Sequence, residues 1–240
     1  MTSRPWLSRS ELLIGNDNLT LLGQSHVLVI GLGGVGSFAA EFIVRSGVGT
    51  ITIVDGDKVE ASNRNRQLPA LFTTEGMMKA DLMKERLLAI NPELKINSIK
   101  TFIQPEEVEQ LLSQHFDYVI EAIDSITPKI TVLSIAKKKG LKIVSSMGAG
   151  GKMDPTKLVV ADISESHTCK LAFLVRKRLK RYDVSSGIKV VFSTEANDKD
   201  SLIMTDGSNF KKSAYGTISY LPATFGAVCA SVAIRDLINN

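Results

Sequence analysis

Gly31-Leu32-Gly33-Gly34-Val35-Gly36 directly follows the apolar run His26–Ile30, and an acid, Asp55, stands about twenty residues further on. Each of these residue types has a task in holding a nucleotide. Gly31 permits a tight turn, Gly33 lets a phosphate come close to the backbone, and Gly36 lets a following helix pack against the strand. The N–H groups at the start of that helix face the anion, and the Asp55 carboxylate can take the ribose hydroxyls. Around this centre stand Asp57, the run Asn63-Arg64-Asn65-Arg66-Gln67, Lys79, and Asp124 with Lys129 five residues beyond it. A dinucleotide needs little of that, because a helix N-terminus largely satisfies its pyrophosphate. An ATP attacked at its α-phosphorus must shed pyrophosphate, so cations should surround the triphosphate and a metal should bridge its oxygens. The residue set favours ATP over a nicotinamide cofactor.

Strand 26–30, a helix over 35–46 and strand 50–54 position the loop and Asp55. A loop over 55–76 carries Asn63 to Gln67. A helix from Lys79 to Ile90 stops at Asn91-Pro92, where proline disfavours continuation. The pattern then predicts strand 94–101, helix 105–114, a buried strand 118–124 ending in Asp124, helix 128–139 ended by Gly140, and strand 141–146. Before residue 26 it predicts only a short arm. Strands alternating with helices imply an α/β fold, a Rossmann-like doubly wound, mostly parallel sheet. Right-handed crossovers bring Gly31, Asp55 and Asp124 to one edge of it. From Gly148-Ala149-Gly150-Gly151 onward the pattern loosens and reads as a C-terminal extension of mixed strands and helices. One domain is expected over 1–240, with a nucleotide-binding half at about 20–147 and a substrate and dimer half at about 148–240.

A chain of 240 residues can bury one sizeable core. The start, Met1 to Trp6, has no signal-like apolar stretch, and no segment reads as the roughly 18 apolar residues of a membrane span, so no membrane partner is expected. Two cysteines, Cys169 and Cys229, build neither a disulfide framework nor a four-thiolate zinc site, which fits a cytoplasmic protein with reduced thiols. The net charge of +4 is unevenly placed. Lys137-Lys138-Lys139 closes one helix, and Arg176-Lys177-Arg178-Leu179-Lys180-Arg181 runs through another. Each is either a solvated helix face or a surface for an anionic macromolecule such as RNA. Aromatic residues are too sparse to suggest a base-stacking platform.

The whole pattern resembles the ThiF/MoeB/HesA family of ubiquitin-activating-type adenylating enzymes. The family shows a GxGGxG loop, then DxD, an N-x-x-R-Q run, a helical lysine and an aspartate at the end of a later strand. Gly31, Gly33, Gly34 and Gly36, then Asp55 and Asp57, Asn63 with Arg66 and Gln67, Lys79 and Asp124 match it in order. The resemblance implies that Asp55 binds ribose, that Asn63, Arg66 and Lys79 hold phosphates, and that Asp124 binds Mg²⁺. Trp6-Leu7-Ser8-Arg9 looks like the family segment whose arginine enters the partner subunit's site, so Arg9 is expected to act in trans within a homodimer. Members that activate sulfur carriers generally have two CxxC pairs and a catalytic cysteine, from which this chain departs. Gly148 to Thr156, Asp162-Ile163-Ser164, Arg176 to Arg181, Phe192 to Glu195 and Gly216 to Pro222 instead look like the threonylcarbamoyladenosine dehydratase branch. That branch uses ATP to cyclise the modified adenosine in tRNA to its hydantoin form. Two other readings stay open: adenylation of a ubiquitin-like sulfur-carrier protein, which a stable complex with a diglycine-ended partner would favour, and an NAD-dependent oxidoreductase, which NAD bound in place of ATP would favour.

Several residues also have plainer readings. Asp57 either joins the nucleotide site or caps a turn, and Lys129 is either a further nucleotide-side cation or a surface helix residue. Cys229, amid the apolar stretch Ala223 to Ile234, reads as a packed thiol. Cys169 beside Lys170 is either inert or activated. His26, His115 and His167 lack metal-ligand spacing and read as structural. Ser193-Thr194-Glu195 is either part of a strand or a wall of the substrate pocket.

Overall fold

The computed structural model describes residues 4–204 and 213–239. Val27-Leu28-Val29-Ile30 is apolar on both faces, which suits a strand covered from two sides. That run is β1 (His26–Ile30), flanked by β2 (Thr50–Val54) and β4 (Tyr118–Glu121) in register with it. With β3 (Lys95–Ile99), β5 (Ile143–Ser146), β6 (Leu158–Asp162) and β7 (Lys189–Ser193) they form a seven-stranded sheet ordered β3-β2-β1-β4-β5-β7-β6. All its pairings are parallel except β6 with β7. β8 (Leu202–Met204) and β9 (Ser213–Tyr215) pair separately.

Helices cover both faces, as the alternating pattern requires. On one face α2 (Gly36–Arg45), α3 (Lys79–Ile90) and α7 (Tyr220–Ile238) bury Ile43, Met83, Leu87, Phe225 and Cys229 against Val27, Val29, Ile51 and Ile120. On the other, α4 (Pro105–Leu111), α5 (Ile126–Lys138) and α6 (Lys170–Leu179) bury Val108, Leu133, Val175 and Leu179 against Leu28, Val119, Val190 and Phe192. The strand order reverses between β1 and β4, and a crevice outside the carboxyl ends of such strands is where α/β sheets receive ligands.

Three expectations change. The N-terminal arm is a helix, α1 (Ser8–Gln24), broken at Gly15, whose φ of 80° interrupts the helical geometry. The strand expected to reach Asp124 ends at Glu121, which leaves Asp124 in the loop beyond it. The apolar C-terminal stretch has, as α7, the length and composition of a membrane span, with a mean hydropathy of 1.4, contrary to the sequence expectation. It is instead a core helix here: Leu221, Phe225, Cys229, Ala233 and Leu237 face inward, and Gly226 lets it press on α2. A Cβ at Gly226 would lie 2.4 Å from the Val35 carbonyl.

Candidate active site

The glycine loop leaves β1 through Gly31, whose φ of 89° is open to glycine and strained for other residues. Gly36 begins α2 directly above it, and a Cβ there would stand 1.7 Å from the Gly31 carbonyl. That contact is backbone against backbone, so nothing but glycine fits. No side chain caps the first turn of α2 and no acid occupies it; the Ser37 N–H bonds back to the Gly33 carbonyl at 3.2 Å, and the remaining outward N–H groups can face an anion. Gly34 lies beneath Pro222 and the Arg66 carbonyl, and Gly33 faces the Gln67 amide. The second half thereby closes over the loop from α7.

Asp55 directly follows β2, with its carboxylate fastened to the loop. One oxygen accepts the Leu32 N–H at 2.6 Å and the other accepts the Asp57 N–H at 2.7 Å. Burial pushes this carboxyl above its ordinary range, while Lys79 and the two backbone donors oppose the shift. The turn is therefore capped by Asp55, whereas Asp57 pairs with Lys79, Nζ to Oδ2 at 2.9 Å. Lys79 opens α3 with its amine brought inward, only 5% exposed. Asn63 is buried at a short turn, where its Oδ1 accepts the Glu60 N–H. Arg66 donates to the Ser62 carbonyl and the Asn65 amide, and Asn65 reaches the Thr217 carbonyl at 2.8 Å. Gln67 Oε1 is buried with no hydrogen-bond partner among the described residues. An orphaned acceptor beside a glycine cradle fits a ligand that brings its own donor.

Lys129 is not a surface residue. It is fully buried, with Nζ committed to the Glu121 carboxylate, to Ser145 Oγ at 3.1 Å and to the Ser146 carbonyl at 2.9 Å. Its donors are thus used inside the sheet, and the amine does not stand free to hold a nucleotide. Glu121, the buried acid of this pair, also accepts the Ile123 N–H at 2.8 Å and Ser145 Oγ at 2.5 Å. It pins the start of the loop that carries exposed Asp124. An acid within an apolar strand run, eight residues before a lysine, was the signal for it. Among the described residues no three His, Cys, Asp or Glu side chains converge as metal ligands, so a metal at Asp124 would take its other oxygens from phosphates and water, as Mg²⁺ commonly does.

Around Gly148 to Asp154 the second half contributes a clamp. Lys152, 3% exposed, donates to the Glu195 and Ser193 carbonyls, and the Glu195 carboxylate accepts N–H groups from Met153 and Asp154. Glu195 thus tethers the loop that follows β5. Burial pushes the Lys152 ammonium below its ordinary range, opposed by Cys169 and Glu195 nearby. Neither Lys152 nor Glu195 announces this in sequence, because the link spans more than forty residues. Cys169 and Cys229 are both buried free thiols, and burial pushes the latter up to about 12. His26 bonds Thr52, while His115 pairs with Asp117 and His167 meets the Phe192 ring edge to face.

Arg9 is exposed on α1, two residues after Leu7. Leu7 packs at Gly47, just past the C-terminal end of the ten-residue α2, while the glycine loop lies at the other end, about 15 Å off at 1.5 Å per residue.

The ThiF family model matches residues 7–240. The tRNA threonylcarbamoyladenosine dehydratase of Bacillus subtilis is 40% identical over 240 residues, which cover 97% of this chain and 94% of that one. The crystal structure of the E. coli tRNA N6-threonylcarbamoyladenosine dehydratase, TcdA, in complex with ATP aligns at a TM-score of 0.90 and 36% identity, covering 100% of this chain and 97% of that one. The adenylyltransferase and sulfurtransferase UBA4 of Candida glabrata is 32% identical over 148 residues, only 62% of this chain and 34% of its own.

Proposed function

The chain belongs to the ThiF family, and from that premise we propose that it catalyses the ATP-dependent cyclisation of threonylcarbamoyladenosine in tRNA. One observation carries the reading: likeness to the dehydratases runs through the second half as well as the first, over 97% of the chain. The sulfurtransferase likeness stops at 62%. A cytoplasmic site of action accords with two free thiols.

The threonyl carboxylate attacks the α-phosphorus of ATP and expels pyrophosphate, which gives an acyl-adenylate. A carbamoyl nitrogen then attacks the activated carbonyl carbon, its proton is lost, and AMP leaves as the five-membered ring closes. Activation supplies a leaving group that the free carboxylate lacks, and the second nucleophile already belongs to the substrate.

The glycine loop and the open first turn of α2 receive phosphate, and Asp55, whose oxygens each keep a lone pair, takes the ribose. Gln67 Oε1 accepts from the nucleotide. Asn63, Arg66 and Lys79 hold the phosphates, with Lys79 oriented by Asp57. Asp124 would hold a Mg²⁺ ion, and when bound the ion would supply positive charge to the triphosphate. Arg9 reaches the same phosphates from the partner chain of a twofold homodimer. Leu7, two residues before it, packs at the far end of α2 from its own loop, which supports that assignment.

Incubation of the protein with ATP, Mg²⁺ and tRNA carrying threonylcarbamoyladenosine tests the reading, with nucleosides resolved by mass spectrometry. Loss of one water from the modified nucleoside, with AMP formed, is expected. Untouched tRNA, together with pyrophosphate release on adding a diglycine-ended carrier protein, would transfer the activity to carrier adenylation. NAD bound in place of ATP would remove both.

A further inference from the structure

The charge of this chain is concentrated on one element. Between residues 170 and 183 stand six lysines and arginines and one acid, a formal +5 against +4 for the whole chain. The structure sorts those cations. Ala172, Val175 and Leu179 of α6 face the core. Arg176 turns back, its guanidinium committed to the Ser166 carbonyl and hydroxyl. Lys177, Arg178, Lys180 and Arg181 are exposed and take part in no ion pair among the described residues. Phe173 and Tyr182, 54% and 57% exposed, flank them. A surface helix usually offsets its lysines with acids; here four unpaired cations share a strip with two open aromatic rings.

One contact places the strip beside the candidate site. Arg178 Nη1 lies 3.5 Å from Thr127 Oγ1, at the first turn of α5 and three residues after Asp124. Arg178 therefore ties the cationic strip to the helix that follows the loop of Asp124.

We propose that Lys177, Arg178, Lys180 and Arg181, with Phe173 and Tyr182 beside them, dock the sugar–phosphate backbone of the RNA whose modified base enters the crevice. The inference rests on the tRNA reading above and assigns that substrate its surface. Phosphates meet unpaired cations at low desolvation cost, and counterions released from the RNA drive the contact. Two exposed rings are too few for a stacking platform, as the sparse aromatic content implies, but each can meet a single unpaired base beside the cations.

The test is the triple variant Lys177→Gln/Lys180→Gln/Arg181→Gln, set against a control of equal net charge, Lys84→Gln/Lys95→Gln/Arg235→Gln. Affinity for tRNA is measured by fluorescence anisotropy across a KCl series. Three contacts at roughly 0.7–0.9 each should flatten the slope of log K against log[salt] by about 2–3. KM for tRNA should rise with kcat and ATP affinity held, and the control should follow the parent protein. Equal losses in both triple variants would reduce the strip to bulk charge and overturn the proposal, as would unchanged affinity and slope. Loss of binding to anionic vesicles with tRNA binding intact would give the strip to a membrane surface instead. If the parent protein fails to cyclise the nucleoside, the functional reading falls; if it succeeds and the variant matches it, only the docking surface falls.

Discussion

Replacement of Lys129 by methionine isolates the buried pair beneath the loop of Asp124. Both side chains are 0% exposed, and Glu121 retains only Ser145 Oγ and the Ile123 N–H once the ammonium is gone. Removing one partner of a buried ion pair costs about 3–5 kcal/mol, because the charge left behind cannot reach water. Two remaining donors place Lys129→Met towards the lower end, about 3 kcal/mol. For a chain of this size each kcal/mol shifts Tm by roughly 2–4 °C, so a fall of about 6–12 °C is expected. Glu121→Gln should cost a similar amount by stranding the ammonium. The double variant should cost far less than the two singles added, since neither charge is then unpaired. Urea unfolding of the four proteins at pH 7 provides the cycle. Singles that each cost less than about 1 kcal/mol, or a double equal to their sum, would refute the buried pair as drawn. A second readout follows from the 2.8 Å bond between Ile123 N–H and Glu121. The Glu121 variant should raise the Mg²⁺ concentration needed for ATP turnover more than it weakens metal-free ATP binding.

Gly36→Ala should abolish ATP binding in equilibrium dialysis, since its Cβ would stand 1.7 Å from the Gly31 carbonyl and the loop must move; retained affinity would show that the loop does not hold the nucleotide. Arg9→Ala and Lys79→Gln should each lose about 10²–10³ in turnover, the cost of one preorganised donor. Mixing the two inactive proteins should restore activity if Arg9 acts across the dimer, because a mixed dimer regains one complete site; no recovery would place Arg9 in its own chain's site or in none. Burial alone would raise the Glu41 carboxyl, but Arg86 at 2.5 Å and Arg45 at 2.8 Å outweigh it and hold the group below its usual range. A depressed carboxylate stabilises the fold above its unfolded pKa and loses that contribution as pH falls through the folded value. Glu41→Gln should therefore cost about 1–2 kcal/mol at pH 7, with the difference from the parent shrinking as the pH is lowered; a gap independent of pH would contradict it.

The glycine loop of this protein and the acid that fastens it were legible in its sequence because the relevant contacts are local. A strand, a glycine turn and a helix start are one continuous segment, and Gly31, Gly36 and Asp55 follow from steric and hydrogen-bond rules acting within some thirty residues. The doubly wound sheet was legible for the same reason, through apolar runs alternating with helical ones. Tertiary structure decided what depends on partners far along the chain. Lys129 reads as a polar helix residue until β4 supplies Glu121 and β5 supplies Ser145 and Ser146. Asp57 reads as either a nucleotide-site acid or a turn cap until α3 brings Lys79 to it. The apolar composition of α7 is shared by a membrane span and a core helix, and only its packing on α2 separates the two. Arg176 and Lys177 are neighbours with the same charge, yet one binds Ser166 and the other faces water. Periodicity assigns a residue to a face of its own element; what lies against that face is set by chain segments the local pattern does not contain.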